Sequence, residues 1–358
     1  MNINVKWDIT YKCNLNCAHC VNGDLLGKIE NELNTVQDKR IIEKLKKAGV
    51  TYVHILGGEP TARADFLEIT RKFEEEGLEF GFNTNGLKLT DSEYLKEIVA
   101  NKALKNIVCS LEGPNAEIND QIRGKKVFDI TTENIRKFVA VKREIGRTDL
   151  KLTINTVVSK SNIGFIVDMI YFCGELGANE IVLLQFIPEG NGKNLDAVPS
   201  IEEQLQLIDT IANCHKEVRG EIEITPKFAF PLTHKYAEIV LKKEFPQTYN
   251  MCGAGENYFY INNRGELYPC DRYKKRIESL HEKREINLLN GEFWKIADLK
   301  GFEEIYEFCA DLKNYKNDVP CSRCDFLGKE CFPCPAQKER GTIQICKRMM
   351  EEIEDVSN

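Results

Sequence analysis

Cys13, Cys17 and Cys20 stand at CxxxCxxC spacing in a short loop directly after an apolar, strand-like run, Val5 to Tyr11. Three thiolates placed this closely can hold three irons of a cubane cluster and leave the fourth iron open to another ligand. The same thiols with His19 would also make a Cys3His zinc site, so the spacing alone leaves two metals open. A second array fills the last third of the chain: Cys252, Cys270, the pair Cys321 and Cys324, the pair Cys331 and Cys334, and Cys346. Paired CxxC thiols mean metal more often than cross-links in a reducing compartment. Asp271 directly follows Cys270, and a carboxylate beside a cluster can be tuned for proton transfer, or simply pair with Arg272 or cap a turn.

The elements that must position these residues alternate. Thr35-Val-Gln-Asp38 reads as a capping box leading a helix to Ala48, closed by Gly49. Thr51 to Leu56 is the next strand and ends at Gly57-Gly58-Glu59-Pro60, where the missing side chains let backbone approach a ligand and carbonyls accept from its ammonium group. A helix from Ala64 to Glu76 leads to the strand Leu78–Phe82 and the stretch Asn83-Thr84-Asn85-Gly86. Thr90-Asp-Ser-Glu93 caps the following helix, and the strand from Asn106 ends at Ser110-Leu-Glu-Gly-Pro114. A helix from Thr131 to Arg143 precedes the strand 151–158, and one from Gly164 to Leu176 precedes 180–187. Strands followed by helices in turn predict parallel βα units, whose active-site loops gather at the strands' C-terminal ends. Periodicity does not separate a barrel from a doubly wound sheet.

After Pro188-Glu-Gly-Asn-Gly192 the pattern changes. Ser200-Ile-Glu-Glu203 caps a helix reaching Val218, and Thr225 to Tyr236 scatters Phe228, Phe230, Pro231 and His234. These read as packing beneath a loop or as the lining of a substrate groove. Further on, Asn257 to Ile261, the turn Asn262 to Gly265, and Glu266 to Tyr268 predict a β-hairpin, marginal by itself and in need of metal ligation. Cys109 and Cys173 sit among apolar residues and read as core, whereas Cys309 is a candidate ligand. The expected organisation is a core over 1–190, a helical connection over 191–250 and a cysteine-rich domain over 251–358.

Fourteen cysteines in 358 residues are too few for a disulfide scaffold and are grouped by motif. No run is long enough to span a membrane and no signal-peptide pattern opens the chain, which predicts a cytoplasmic location. A net charge of −7 gives no overall attraction for nucleic acid.

Taken in order, CxxxCxxC, GGEP, TNG and SLEG resemble the radical S-adenosylmethionine (SAM) superfamily, and the C-terminal array resembles its branch with a SPASM domain. The resemblance implies an α/β fold: a partial (βα)6 TIM-type barrel followed by the SPASM domain. It implies a [4Fe–4S] cluster on Cys13, Cys17 and Cys20, with SAM chelated at the open iron. Gly57, Gly58 and Glu59 would bind the SAM amino group. Asn85 marks the TNG loop, Ser110 and Arg123 match ribose and carboxylate contacts, and Asn155, Gln185 and Ile187 match positions near ribose and adenine. His19 departs from the family, which usually has an aromatic hydrocarbon or phenol there.

The SPASM resemblance implies two auxiliary [4Fe–4S] clusters, three clusters in all. Cys252, Cys270 and Cys334 would hold the inner one, and Cys321, Cys324, Cys331 and Cys346 the outer. That leaves the inner cluster one thiolate short, to be completed by Cys309, Cys214 or another group, or open to a substrate thiolate. The spacing around Cys331 is shifted from the family's, with the total span unchanged. Asp271 matches the base of anaerobic sulfatase-maturing enzymes.

The expected function is radical modification of a ribosomally made peptide or protein, by a cross-link such as a thioether or by side-chain oxidation. Rival expectations are oxidation of a small molecule, a sugar or tetrapyrrole, and a non-catalytic iron–sulfur or zinc module. A flavodoxin or ferredoxin would supply electrons. With the cluster loop starting at residue 13, leader recognition falls to a separate protein or to 188–250.

Overall fold

The structure, a computed structural model, describes residues 2–217, 222–227, 242, 254, 257–268, 270–271, 286–290 and 351. Cys252, Cys309, Cys321, Cys324, Cys331, Cys334 and Cys346 lie outside the described residues, as do Phe228, Phe230, Pro231 and His234.

Seven parallel strands form the body: β1 (Ile3–Thr10), β2 (Val50–Gly57), β3 (Glu79–Thr84), β4 (Leu104–Ser110), β5 (Lys151–Val158), β6 (Glu180–Gln185) and β7 (Glu223–Lys227). They lie side by side in chain order, each linked to the next by helix: α1 (Thr35–Lys47), α2 (Phe66–Glu76), α3 (Ser92–Ala100), α4 (Ala116–Arg123) and α5 (Val127–Ile145), α6 (Ile166–Glu175), and α7 (Ile201–Glu217). Beyond β1 the same sheet continues through β8 (Tyr258–Ile261), β9 (Glu266–Tyr268) and β10 (Ile286–Asn287).

Strand alternation splits the sheet into two faces. One carries Trp7, Ile55, Phe82, Ile107, Ile154 and Leu183, all buried against the helices. Phe82 meets Phe66 of α2 edge-on at 5.1 Å, and Phe80 stacks on Phe73 at 4.9 Å. The other face is polar and includes Lys6, His54, Asn83, Ser110, Asn155 and Lys227. Six strand spacings, about 29 Å in a flat sheet, separate β1 from β7, too far for screened charges to interact. Yet the Lys227 ammonium feels Lys6, so the sheet curls with its polar face inward, as a partial barrel does.

Several local expectations change. α1 is capped by Asn34, whose side chain accepts from the Gln37 amide while Gln37 returns the bond; Thr35 instead donates to Asp65. α4 and β7 were not anticipated. α5 begins at Val127, a turn before Thr131. The hairpin forms as predicted with Gly265 at φ 77°, but β8 pairs in parallel with β1, so its stability comes partly from the sheet.

Candidate active site

β1 delivers the cluster loop. Thr10, its last residue, donates to Glu32 at 2.9 Å and accepts from the Lys12 amide at 2.9 Å, which turns the chain out of the strand. The thiols of Cys13, Cys17 and Cys20 form no disulfide and interact electrostatically with one another. Burial pushes each up from its ordinary value, Cys20 to about 11. Such thiols become thiolates readily only when a cation balances the charge. The Leu15 amide points at Cys13 Sγ at 3.5 Å, a donor suited to a metal-bound sulfur. Among the described residues no three His, Cys, Asp or Glu side chains converge on a single ion. His19 faces Glu112, its Nε2 3.1 Å from Oε1. The Cys3His zinc arrangement is therefore not what the loop adopts.

Three other strand ends clamp this loop. At the end of β2, Gly57 has φ 132°, and a Cβ there would collide with the Thr10 carbonyl. A Cβ on Gly58 would collide with the Lys12 carbonyl, while its amide donates to Thr10 at 2.7 Å and the Glu59 amide to Lys12 at 2.8 Å. The glycines thus answer a demand of the backbone of residues 10–12 before any ligand arrives. Glu59 is buried, with Thr61 and Thr84 hydroxyls on Oε1 at 2.6 and 2.8 Å and the Asn85 amide on Oε2 at 2.7 Å. Its carboxylate braces the β3 end, leaving the backbone of 57–59 as the part that can reach a ligand. Asn85 likewise uses its side chain on the protein, donating to Asn14 Oδ1 at 2.7 Å and accepting from Leu87.

At the end of β4, Glu112 is a hub. Its side chain is 1% exposed; Oε1 accepts from Arg123 Nη1 at 2.7 Å and faces His19, and Oε2 accepts from the Val157 amide at 2.8 Å. Burial would raise its pKa, but His19, then Arg123 and Val157, outweigh this and hold it down to about 2. α4 presses against the loop, with the Ala18 amide bonded to the Ile122 carbonyl at 2.9 Å. Arg123, the last residue of α4, reaches Cys17 electrostatically, and its Nε is buried without a hydrogen-bond partner, as is His19 Nδ1.

Ser110 and Asn155 are direct neighbours across β4 and β5, both half-buried on the polar face, with no side-chain hydrogen bond among the described residues. Gln185 closes β6 but alternates with Ile181 and Leu183, so it shares their face rather than that of Asn155. Ile187 is buried just beyond.

The loop after β6 is a contact that sequence reading treated only as a loop. Asn191 donates to the Cys17 carbonyl at 2.9 Å and to Asn16 at 2.7 Å, and its amide bonds to Cys20 at 3.0 Å. Gly190, at φ 55°, lies against the Cys20 and Val21 carbonyls. Glu112 was also missed as a site residue; its place in SLEG, two residues after Ser110, was the available signal.

From the C-terminal array the structure describes Cys270, half-buried after β9. Asp271 lies 3.7 Å from Lys6 Nζ, and the Tyr258 hydroxyl donates to it at 3.4 Å. Its partners are thus on β1 and β8. Cys109 and Cys173 are core, as expected, and Cys214 of α7 is buried there too.

Residues 7–158 match the profile of the Radical SAM superfamily. Among curated proteins, the chain is 32% identical over 343 residues to mycofactocin maturase MftC of Mycolicibacterium smegmatis, covering 93% of this chain and 78% of that protein. It is 26% identical over 349 residues to the AdoMet-dependent heme synthase of Methanosarcina barkeri, covering 94% of this chain and 92% of that protein. Among solved structures, Streptococcus suis SuiB bound to S-adenosylmethionine superposes with a TM-score of 0.73 at 20% identity, over 94% of this chain and 74% of that chain, a likeness of fold.

Proposed function

This chain belongs to the radical SAM superfamily, and from that premise we propose that it uses a 5′-deoxyadenosyl radical to modify a ribosomally made peptide or protein, by a cross-link such as a thioether or by side-chain oxidation. The carrying observation is the 32% identity to a maturase along 93% of the chain.

The residues present fit the groups the superfamily implies, SAM and one [4Fe–4S] cluster. Cys13, Cys17 and Cys20 are unbridged thiols on one loop, with a backbone amide directed at Cys13 sulfur and the Arg123 guanidinium close by. When bound, the cluster supplies the electron that cleaves SAM. Around it, the 57–59 backbone takes the amino group and Arg123, fixed by Glu112, the carboxylate. Ser110 and Asn155 offer hydrogen-bonding groups to a ribose. Asn85 and Glu59 hold the loops in register, and Gln185 and Ile187 border the adenine side. Asp271 is the proposed base, oriented by Lys6 and Tyr258.

Two auxiliary [4Fe–4S] clusters, on Cys252, Cys270 and Cys334 and on Cys321, Cys324, Cys331 and Cys346, belong to the same proposal. So do a core over 1–190, a connection over 191–250, a SPASM domain over 251–358, a flavodoxin or ferredoxin as reductant, a separate leader-binding protein and a cytoplasmic location. Among the described residues no helix is long and apolar enough to cross a membrane. A tetrapyrrole is the second reading for the substrate, favoured by coverage of 92% of the heme synthase's length.

Co-expression with the short peptide encoded beside this gene, followed by mass measurement, tests the reading. Loss of two hydrogens is expected with the wild type and not with Cys13→Ala. An unchanged peptide, together with turnover of a porphyrinoid, would overturn it.

A further inference from the structure

The concave polar face holds cations that the SAM site does not use. Lys6 and His54 are register partners on β1 and β2, and Lys227 projects from the end of β7 opposite Leu184 of β6. Curling of the sheet brings Lys227 within electrostatic reach of both. Their surroundings supply little counter-charge. Lys6 faces Asp271 and lies 5.5 Å over the Tyr258 ring. Glu180, the acid felt by Lys227, has its carboxylate occupied by the Thr225 hydroxyl at 2.5 Å and the Thr153 hydroxyl at 3.2 Å. His54 is held by Asn83 at 2.6 Å, and burial lowers it to about 4, so it carries no charge at neutral pH. Lys227 makes no ion pair or hydrogen bond among the described residues, although solvent reaches it. Burial and Lys6 make it harder to protonate than an ordinary lysine, with Glu180 opposing. A lysine that is both wet and enclosed marks a water-filled recess.

We propose that Lys227, with Lys6 beside it, forms a subsite for a carboxylate of the substrate. It rests on the reading above that the concave face receives a peptide. An incoming carboxylate would exchange water for an ammonium with no competing partner, and Lys6 would place that group beside Asp271. A lysine takes such a ligand as a point charge, so the subsite does not by geometry distinguish a chain-terminal carboxylate from an Asp or Glu side chain.

The test reads Lys227 directly and needs no turnover. The reconstituted protein with SAM is acetylated by a neutral N-hydroxysuccinimide ester, and labelling of Lys227 is compared with that of exposed Lys88 by peptide mass spectrometry. N-acetylglycine presents a terminal carboxylate, N-acetylaspartate α-amide a side-chain one, and N-acetylglycinamide none. Either acid, at a few times a millimolar Kd, is expected to slow labelling of Lys227 about threefold while Lys88 is unchanged. The stronger protector names the source. Equal labelling with the acids and the neutral amide, or equal protection of Lys88, would overturn the subsite. Either result leaves the peptide-modifying reading standing, since that depends on the mass measurement.

Discussion

A buried carboxylate persists only where its oxygens are taken, and Glu112 meets that condition with Arg123, His19 and the Val157 amide. Glu112→Gln keeps the shape and removes the charge that fixes both basic side chains next to the cluster loop. Unfolding by urea should show a loss of about 3 kcal/mol, the scale for breaking a buried ion pair. The reduced cluster of the reconstituted variant should give an electron paramagnetic resonance spectrum that changes less on adding SAM, because Arg123 is no longer aimed. The pH dependence has a definite sign. Glu112 is held down to about 2 from an ordinary 4.5, so its contribution to stability is complete above 4.5 and disappears as pH falls towards 2. Between those limits the urea midpoint of the wild type should fall more steeply than that of Glu112→Gln.

Strand ends make the site, and glycine decides whether they can meet. Gly58→Ala places a methyl group against the Lys12 carbonyl, and at Gly57 the positive φ adds strain. Either variant should bind less iron on reconstitution, measured per chain, and unfold about 2 kcal/mol more easily. Away from the site, Arg147 donates to the carbonyls of Val99, Asn101 and Leu104 and so ties off the end of α3. Arg147→Met should leave those carbonyls unsatisfied and cost about 3 kcal/mol in urea unfolding, without altering the iron content. The βα alternation and the three cysteines were legible because period and spacing are local. Other features depended on distant partners. Asp38 looked like part of a cap, but it is buried against Arg63 at 2.7 Å, and the capping fell to Asn34. β7 was hidden by Pro226, which the outermost strand of a sheet tolerates because one edge needs no amide. α4 has eight residues, too few to display a period. The glycines of GGE were rightly singled out, but what they accommodate is the protein's own backbone.

Across the whole molecule, two joints fasten the C-terminal hairpin to the first cluster loop. Glu32 accepts from Thr10, from the Tyr11 amide at 2.6 Å and from Asn263 in the hairpin turn at 3.0 Å. The Tyr11 hydroxyl meets that of Tyr260 at 3.2 Å, and Tyr260 donates to Asp8 at 2.6 Å. Glu32→Ala should therefore lower iron content by more than one cluster's share, since it loosens the loop bearing Cys13 and the ribbon bearing Cys270 together; loss confined to one cluster would show the joints to be independent. The strand order carries a cost in time. β1 is made first, yet one of its two neighbours, β8, is some 252 residues away along the chain. At about 5–20 residues per second on the ribosome, roughly ten to fifty seconds pass before β8 can be paired. Through that interval the backbone from Asn4 to Trp7 offers an open edge to any extended chain nearby. A chain stopped before Tyr258 makes that interval permanent and should appear in the insoluble fraction, where the full-length protein does not. Helper proteins that shield nascent strands should matter more to the yield of this enzyme than to that of a sheet completed in sequence.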